Sequence, residues 1–75
     1  MNLKQMEYFV AAAEQLNFTR AAKKCFISQT AMTLQIQSLE EKIGVPLFVR
    51  DKHHVELTAA GKGYLNEARA IPVRA

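Results

Sequence analysis

Residues 17–44 read NFTRAAKKCFISQTAMTLQIQSLEEKIG, and the order of caps, stops and apolar steps within them decides the fold. Ser28 stands directly before a run of helix-compatible residues, where its hydroxyl can cap the first free backbone N–H groups. A helix is predicted over 29–43 with Met32, Ile36, Leu39 and Ile43 on its buried stripe. Gly44 accepts the left-handed conformation that ends a helix, and Pro46 two residues on prevents its resumption. Upstream, Thr19 is predicted to cap a shorter helix through Cys25. Ala22, Cys25 and Phe26 turn inward, and Arg20, Lys23 and Lys24 stay outside. The small pair Ala21 and Ala22 lets the two helices cross closely.

Working outward, Leu3, Met6, Phe9, Val10, Ala13 and Leu16 recur at three- and four-residue steps, which predicts a core-packing first helix over 3–16. Beyond Pro46, the β-favouring runs 47–50 and 55–57 flank Asp51, Lys52, His53 and His54, a pattern for a hairpin with a charged tip. Thr58 can cap a fourth helix that carries Ala60, Tyr64, Leu65, Ala68 and Ile71 toward a partner surface. Gly61 and Gly63 weaken it and Pro72 ends it. No internal repeat, low-complexity segment or linker interrupts this order. The fold class is mainly α: a winged helix-turn-helix with a three-helix core, a short hairpin wing and the start of a fourth, linker helix. Residues 1–58 form the winged domain, and 59–75 a truncated linker or dimerisation helix.

At 75 residues the chain has room for one compact core and none for a large cleft. It is 49% apolar and 23% charged with only three glycines and two prolines, an ordered and mainly helical composition. Ten Lys and Arg against seven Asp and Glu leave +3, an excess that favours polyanions without requiring them. The lone Cys25 fits a reducing, cytoplasmic compartment. No apolar run approaches the ~18 residues of a spanning helix, and the polar opening 1–7 is no signal peptide, so neither membrane nor export is expected.

The third helix is informative through what it lacks: from Ser28 to Leu39 there is no charged residue. Its outer face is Thr30, Thr33, Leu34 and Gln37, with Gln29 at its start. At about 100° per residue Leu34 falls opposite the buried stripe, so a packed core leaves it exposed. Amides pair with adenine through N6 and N7, hydroxyls approach several bases, and an apolar side chain meets a thymine methyl. A neutral reading face needs flanking cations for the phosphates, and Arg20, Lys23, Lys24, Arg50 and Lys52 are placed to supply them.

Several segments together resemble the N-terminal DNA-binding domain of LysR-type transcriptional regulators. They are 9–16 with Asn17-Phe18-Thr19-Arg20-Ala21-Ala22, then Ile27-Ser28-Gln29, Leu39-Glu40-Glu41-Lys42-Ile43-Gly44, Leu47-Phe48-Val49-Arg50 and Leu57-Thr58-Ala59-Ala60-Gly61. The resemblance implies base contact by Gln29, Thr30, Thr33 and Leu34, with Ser28 at the helix start and Arg50 and the wing, His53 included, on backbone or minor groove. The family often has Pro or Ser at Thr30, Ser at Thr33, Arg at Leu34, and arginines at His53 and His54. It further implies double-stranded DNA with an interrupted palindrome of T-N11-A type, and a homodimer joined through Tyr64, Leu65, Ala68 and Ile71. A small-molecule effector would act only through a further C-terminal domain. The ending Pro72-Val73-Arg74-Ala75 departs from a continuing helix and reads as a truncation.

Other readings are weaker. Cys25, His53 and Asp51 nominally supply nucleophile, base and orienter, yet nothing in the sequence places them together, so no enzyme is expected. Adjacent His53 and His54 on a hairpin point apart, and neither metal nor cofactor is expected. Cys25 reads as a small buried hydrophobe. The stronger alternative is a winged helix that docks a protein through Leu34 without binding DNA.

Overall fold

The computed structural model describes residues 2–51 and 54–70. Along them run α1 (Leu3–Gln15), α2 (Phe18–Lys24), α3 (Gln29–Ile43), β1 (Phe48–Arg50), β2 (Val55–Leu57) and α4 (Ala59–Ala70). Every helix starts on a polar side chain whose oxygen accepts from a backbone N–H three residues ahead. Asn2 caps Gln5 at 2.7 Å, Asn17 caps Arg20 at 2.9 Å, Ser28 caps Ala31 at 3.0 Å, and Thr58 caps Gly61 at 3.0 Å. The cap of α2 is therefore Asn17 and not the expected Thr19, whose hydroxyl is left for another use. Gly44 ends α3 at φ 88°, as its place in the sequence requires.

The turn between α2 and α3 corrects a second expectation. Phe26 does not turn inward: it is 94% exposed and sits at φ 60°. Its N–H donates to Lys23 O at 3.2 Å while that of Ile27 donates to Ala22 O at 3.0 Å. This bond pair closes a helix through a left-handed residue, a position that glycine ordinarily fills. Ile27, one residue on, takes the inward place against the core.

Phe9, Met32, Ile36, Leu39 and Leu47 are the largest fully buried side chains, and the alanines Ala12, Ala21 and Ala22 let α1, α2 and α3 approach around them. The stripe of α1 is rotated from its predicted centre. Gln5, Phe9, Ala12 and Ala13 are buried; Met6 and Val10 lie at the flank; Leu3 and Leu16 are exposed, Leu16 as the left-handed C-cap. Gln5 takes a polar place on the buried side: its Nε2 donates to Gln35 O at 3.4 Å and Oε1 at 3.2 Å, linking α1 to α3. Ile43, in the last turn of α3, is exposed and leaves the stripe at Leu39.

β1 and β2 form an antiparallel hairpin with Phe48 opposite Leu57 and Arg50 opposite Val55. Phe48 anchors it, its ring 5.6 Å from that of Phe9 and edge-on to Phe18 at 5.3 Å. Glu40 of α3 fixes its entry, Oε2 accepting from Leu47 N at 2.7 Å and Phe48 N at 3.2 Å. Three helices, a tight turn between the second and third, and a two-stranded wing make this a winged helix-turn-helix.

α4 closes the back of α1 instead of standing apart. Leu65 and Ala68 are buried in this chain's own interior, and Tyr64 meets Phe9 edge-on at 5.1 Å. The stripe expected to meet a partner is thus turned in part toward this chain's own α1, with Tyr64 half-buried; Ala60 is exposed, and Ile71 lies outside the described residues. Gly61, read from sequence as a weakness, is a packing requirement: a Cβ there would collide with the carbonyl oxygen of Leu47. That carbonyl also accepts from Thr58 N at 3.0 Å, so hairpin and α4 meet at one point.

Candidate nucleic-acid interface

Ser28 sets where α3 begins, and the exposed side of its first turns carries the predicted readers. Gln29, Thr30 and Leu34 are exposed, Leu34 by 59%, and Thr33 is half-buried. These four line one shallow surface depression of about 350 Å³. Gln37 is exposed but falls outside it. It shares a different depression with Glu40 and Glu41, whose carboxylates make that end of α3 unfavourable for a polyanion.

Beside the readers, an open cleft of about 690 Å³ separates the start of α3 from the wing, with Asn17, Gln29, Arg50, Asp51 and His54 in its lining. Arg50 follows Phe48 by two residues and so shares its side of the strand. Its guanidinium carbon lies 4.7 Å from the centroid of the Phe18 ring. Stacking on that buried ring restrains a long side chain that would otherwise lose freedom on binding. Across the cleft, the Thr19 hydroxyl donates to Gln29 Oε1 at 2.9 Å. On the wing, His54 Nε2 pairs with Glu56 Oε2 at 2.8 Å.

Arg20 and Lys23 are exposed on α2. Lys24 is exposed as well, and it lines a groove formed with α1 and α4 to which α3 contributes nothing. Lys52 and His53 lie outside the described residues. Sequence reading missed Thr19, Phe18 and Glu40 as organisers of this surface, since each acts on a residue ten or more positions away or across a turn.

Among the described residues, the two enzyme candidates Cys25 and Asp51 lie on different surfaces. Cys25 lines the α1 and α4 groove while Asp51 lines the wing cleft. Cys25 is only half-buried, and burial, then the Glu7 carboxylate, push its thiol above the ordinary range, which disfavours the reactive thiolate. Among the described residues no group of three His, Cys, Asp or Glu could hold a metal ion, and no helix is long and apolar enough to cross a membrane.

Residues 3–62 match the model of the bacterial regulatory helix-turn-helix proteins of the lysR family. The chain belongs to the LysR family. Its relatives include the Hca operon transcriptional activator HcaR of Escherichia coli K12, 55% identical over 71 residues that cover 95% of this chain and 24% of HcaR. TfdT of Cupriavidus pinatubonensis is 51% identical across 95% of this chain and 31% of its own length. The chain thus spans about a quarter to a third of these LysR-family relatives. Among solved structures, CbnR_DBD in its complex with DNA superposes with a TM-score of 0.88 at 45% identity, covering 92% of this chain and 79% of that one. BenM_DBD on its catB site 1 DNA superposes equally at 39% identity, covering 92% and 77%. HcaR is a transcriptional activator and TfdT a helix-turn-helix-type transcriptional regulator.

Proposed function

We propose that this LysR-family domain binds double-stranded DNA sequence-specifically, laying the N-terminal half of α3 in the major groove and serving as the recognition end of a transcriptional regulator. One observation carries the reading: Gln29, Thr30, Thr33 and the exposed Leu34 share a neutral surface at the start of a capped helix. Amide, hydroxyl and methyl groups there match base edges. Arg50 on one border and Arg20 and Lys23 on α2 meet phosphates, with Lys52 and His53 extending the wing contact and Ser28 offering its hydroxyl proton at the helix start. Support comes from the DNA complexes of CbnR_DBD and BenM_DBD, whose folds this one matches.

The longer protein is proposed to act in the cytoplasm as a homodimer on an interrupted palindrome, with 59–75 leading toward the partner and an effector-sensing domain. Because α1 covers Leu65 and Ala68, such pairing uses the outer side of α4. The test is ionic strength: affinity for duplex DNA should fall ~10-fold or more between 50 and 200 mM salt if several phosphates are neutralised. Binding indifferent to salt would instead mark an apolar protein-docking surface around Leu34.

A further inference from the structure

We infer that Thr19 fixes the amide of Gln29 so that this side chain reads a hydrogen-bond acceptor on the base edge, favouring a guanine or a thymine over an adenine. The inference rests on the DNA-binding reading above and deepens it at one residue.

Thr19 sits in the first turn of α2 and is exposed, but Asn17 performs the capping there, so its hydroxyl is spare. That hydroxyl donates to Gln29 Oε1 at 2.9 Å across ten residues of chain. Gln29 itself stands at the junction of the reading surface and the Arg50 cleft, lining both. Recognition of adenine by an amide needs both ends: the oxygen accepts from N6 while the nitrogen donates to N7. With Oε1 turned back to Thr19, the group presented outward is Nε2, which only donates. Guanine offers two adjacent acceptors, O6 and N7, and thymine offers O4, whereas adenine sets its N6 donor beside a lone N7 acceptor, an edge that a group able only to donate matches less well. Thr19 is therefore a positioning residue that sets specificity without touching DNA.

The experiment selects binding sites for the 75-residue protein from a randomised duplex library and repeats the selection with variants. The position where Gln29→Ala abolishes preference marks the base that Gln29 reads. The wild type is expected to enrich G or T there. Thr19→Val and Thr19→Ala, which remove the hydroxyl, should raise adenine at that position alone by roughly two- to tenfold, the worth of one hydrogen bond. Thr19→Ser should restore the original preference. A purely structural role would lower affinity evenly and leave base preference where it was. A wild-type preference for adenine, or Thr19 variants that bind selectively with unchanged preference, overturns the inference while leaving the DNA-binding reading intact. A wild type that enriches no sequence overturns both.

Discussion

The outer face of α3 and the groove between α1 and α4 are both open surfaces of the same small core, yet they place charge differently. On the first, Gln29, Thr30, Thr33 and Leu34 are all neutral, and Arg50, held against Phe18, stands with Asp51 in the bordering cleft. On the second, apolar Met6, Val10, Ala11 and Ala68 are rimmed by Glu7, Glu14, Lys24 and Arg69, and Arg69 is already paired with Glu14 at 3.2 Å. Two acidic and two basic rim groups cancel, so this groove offers a polyanion no net attraction. The overall +3 does not say which side meets DNA. The proposed assignment rests on where each charge is placed.

The contrast breaks most severely at the joint that holds the wing and α4 together. Gly61→Ala drives a methyl into the Leu47 carbonyl, and a loss of about 1–3 kcal/mol is expected by urea or thermal unfolding. An unperturbed midpoint would show that this joint yields freely. Comparable in size but confined to recognition, Gln29→Ala should cost ~1–3 kcal/mol on the selected site and little on random duplex. Gln37→Ala, beside Glu40 and Glu41, should cost far less in the same titrations, which would narrow the reading face to the first two turns of α3.

The two faces are compared directly by Arg50→Ala and Lys24→Ala. Removing Arg50 should lower the slope of log affinity against log salt by about 0.9, one phosphate contact, and removing Lys24 should leave it unchanged. Equal effects would erase the distinction between the faces. Smallest and neutral to both is Phe26→Asn. A residue that tolerates the left-handed conformation should stabilise the domain by ~1 kcal/mol without changing DNA affinity. A loss of affinity instead would bring the exposed Phe26 ring into the interface.

Much of this architecture was legible because local chemistry and tertiary packing agree along α3. Ser28, the uncharged run to Leu39, Gly44 and Pro46 each point to one helix with one free face. The family resemblance read from residues 9–61 stands with them, since it depends on those same segments. Legibility failed where a residue occupies a position usually filled by another kind. Phe26 stands where glycine would announce a helix end, and an aromatic side chain at that point carries the signature of core. Asn17 and Thr19 are both competent caps, and sequence does not choose between them. Gln5 is polar yet buried, so apolar periodicity placed the centre of α1 too far from α3. Leu65 and Ala68 show the same limit from the other side: a stripe announces burial without naming what covers it. Neither the Thr19 bond to Gln29 nor the Phe18 stack under Arg50 has any local signature, because each joins elements that meet only after folding.

The most direct test replaces Gln29, Thr30 and Leu34 together by alanine, which preserves charge and suits an exposed helix. Affinity is then measured for the selected site and for random duplex. A specificity ratio that collapses toward one, with random-DNA affinity and salt slope retained, is the predicted result. An undiminished ratio would contradict the assignment of sequence reading to this face of α3.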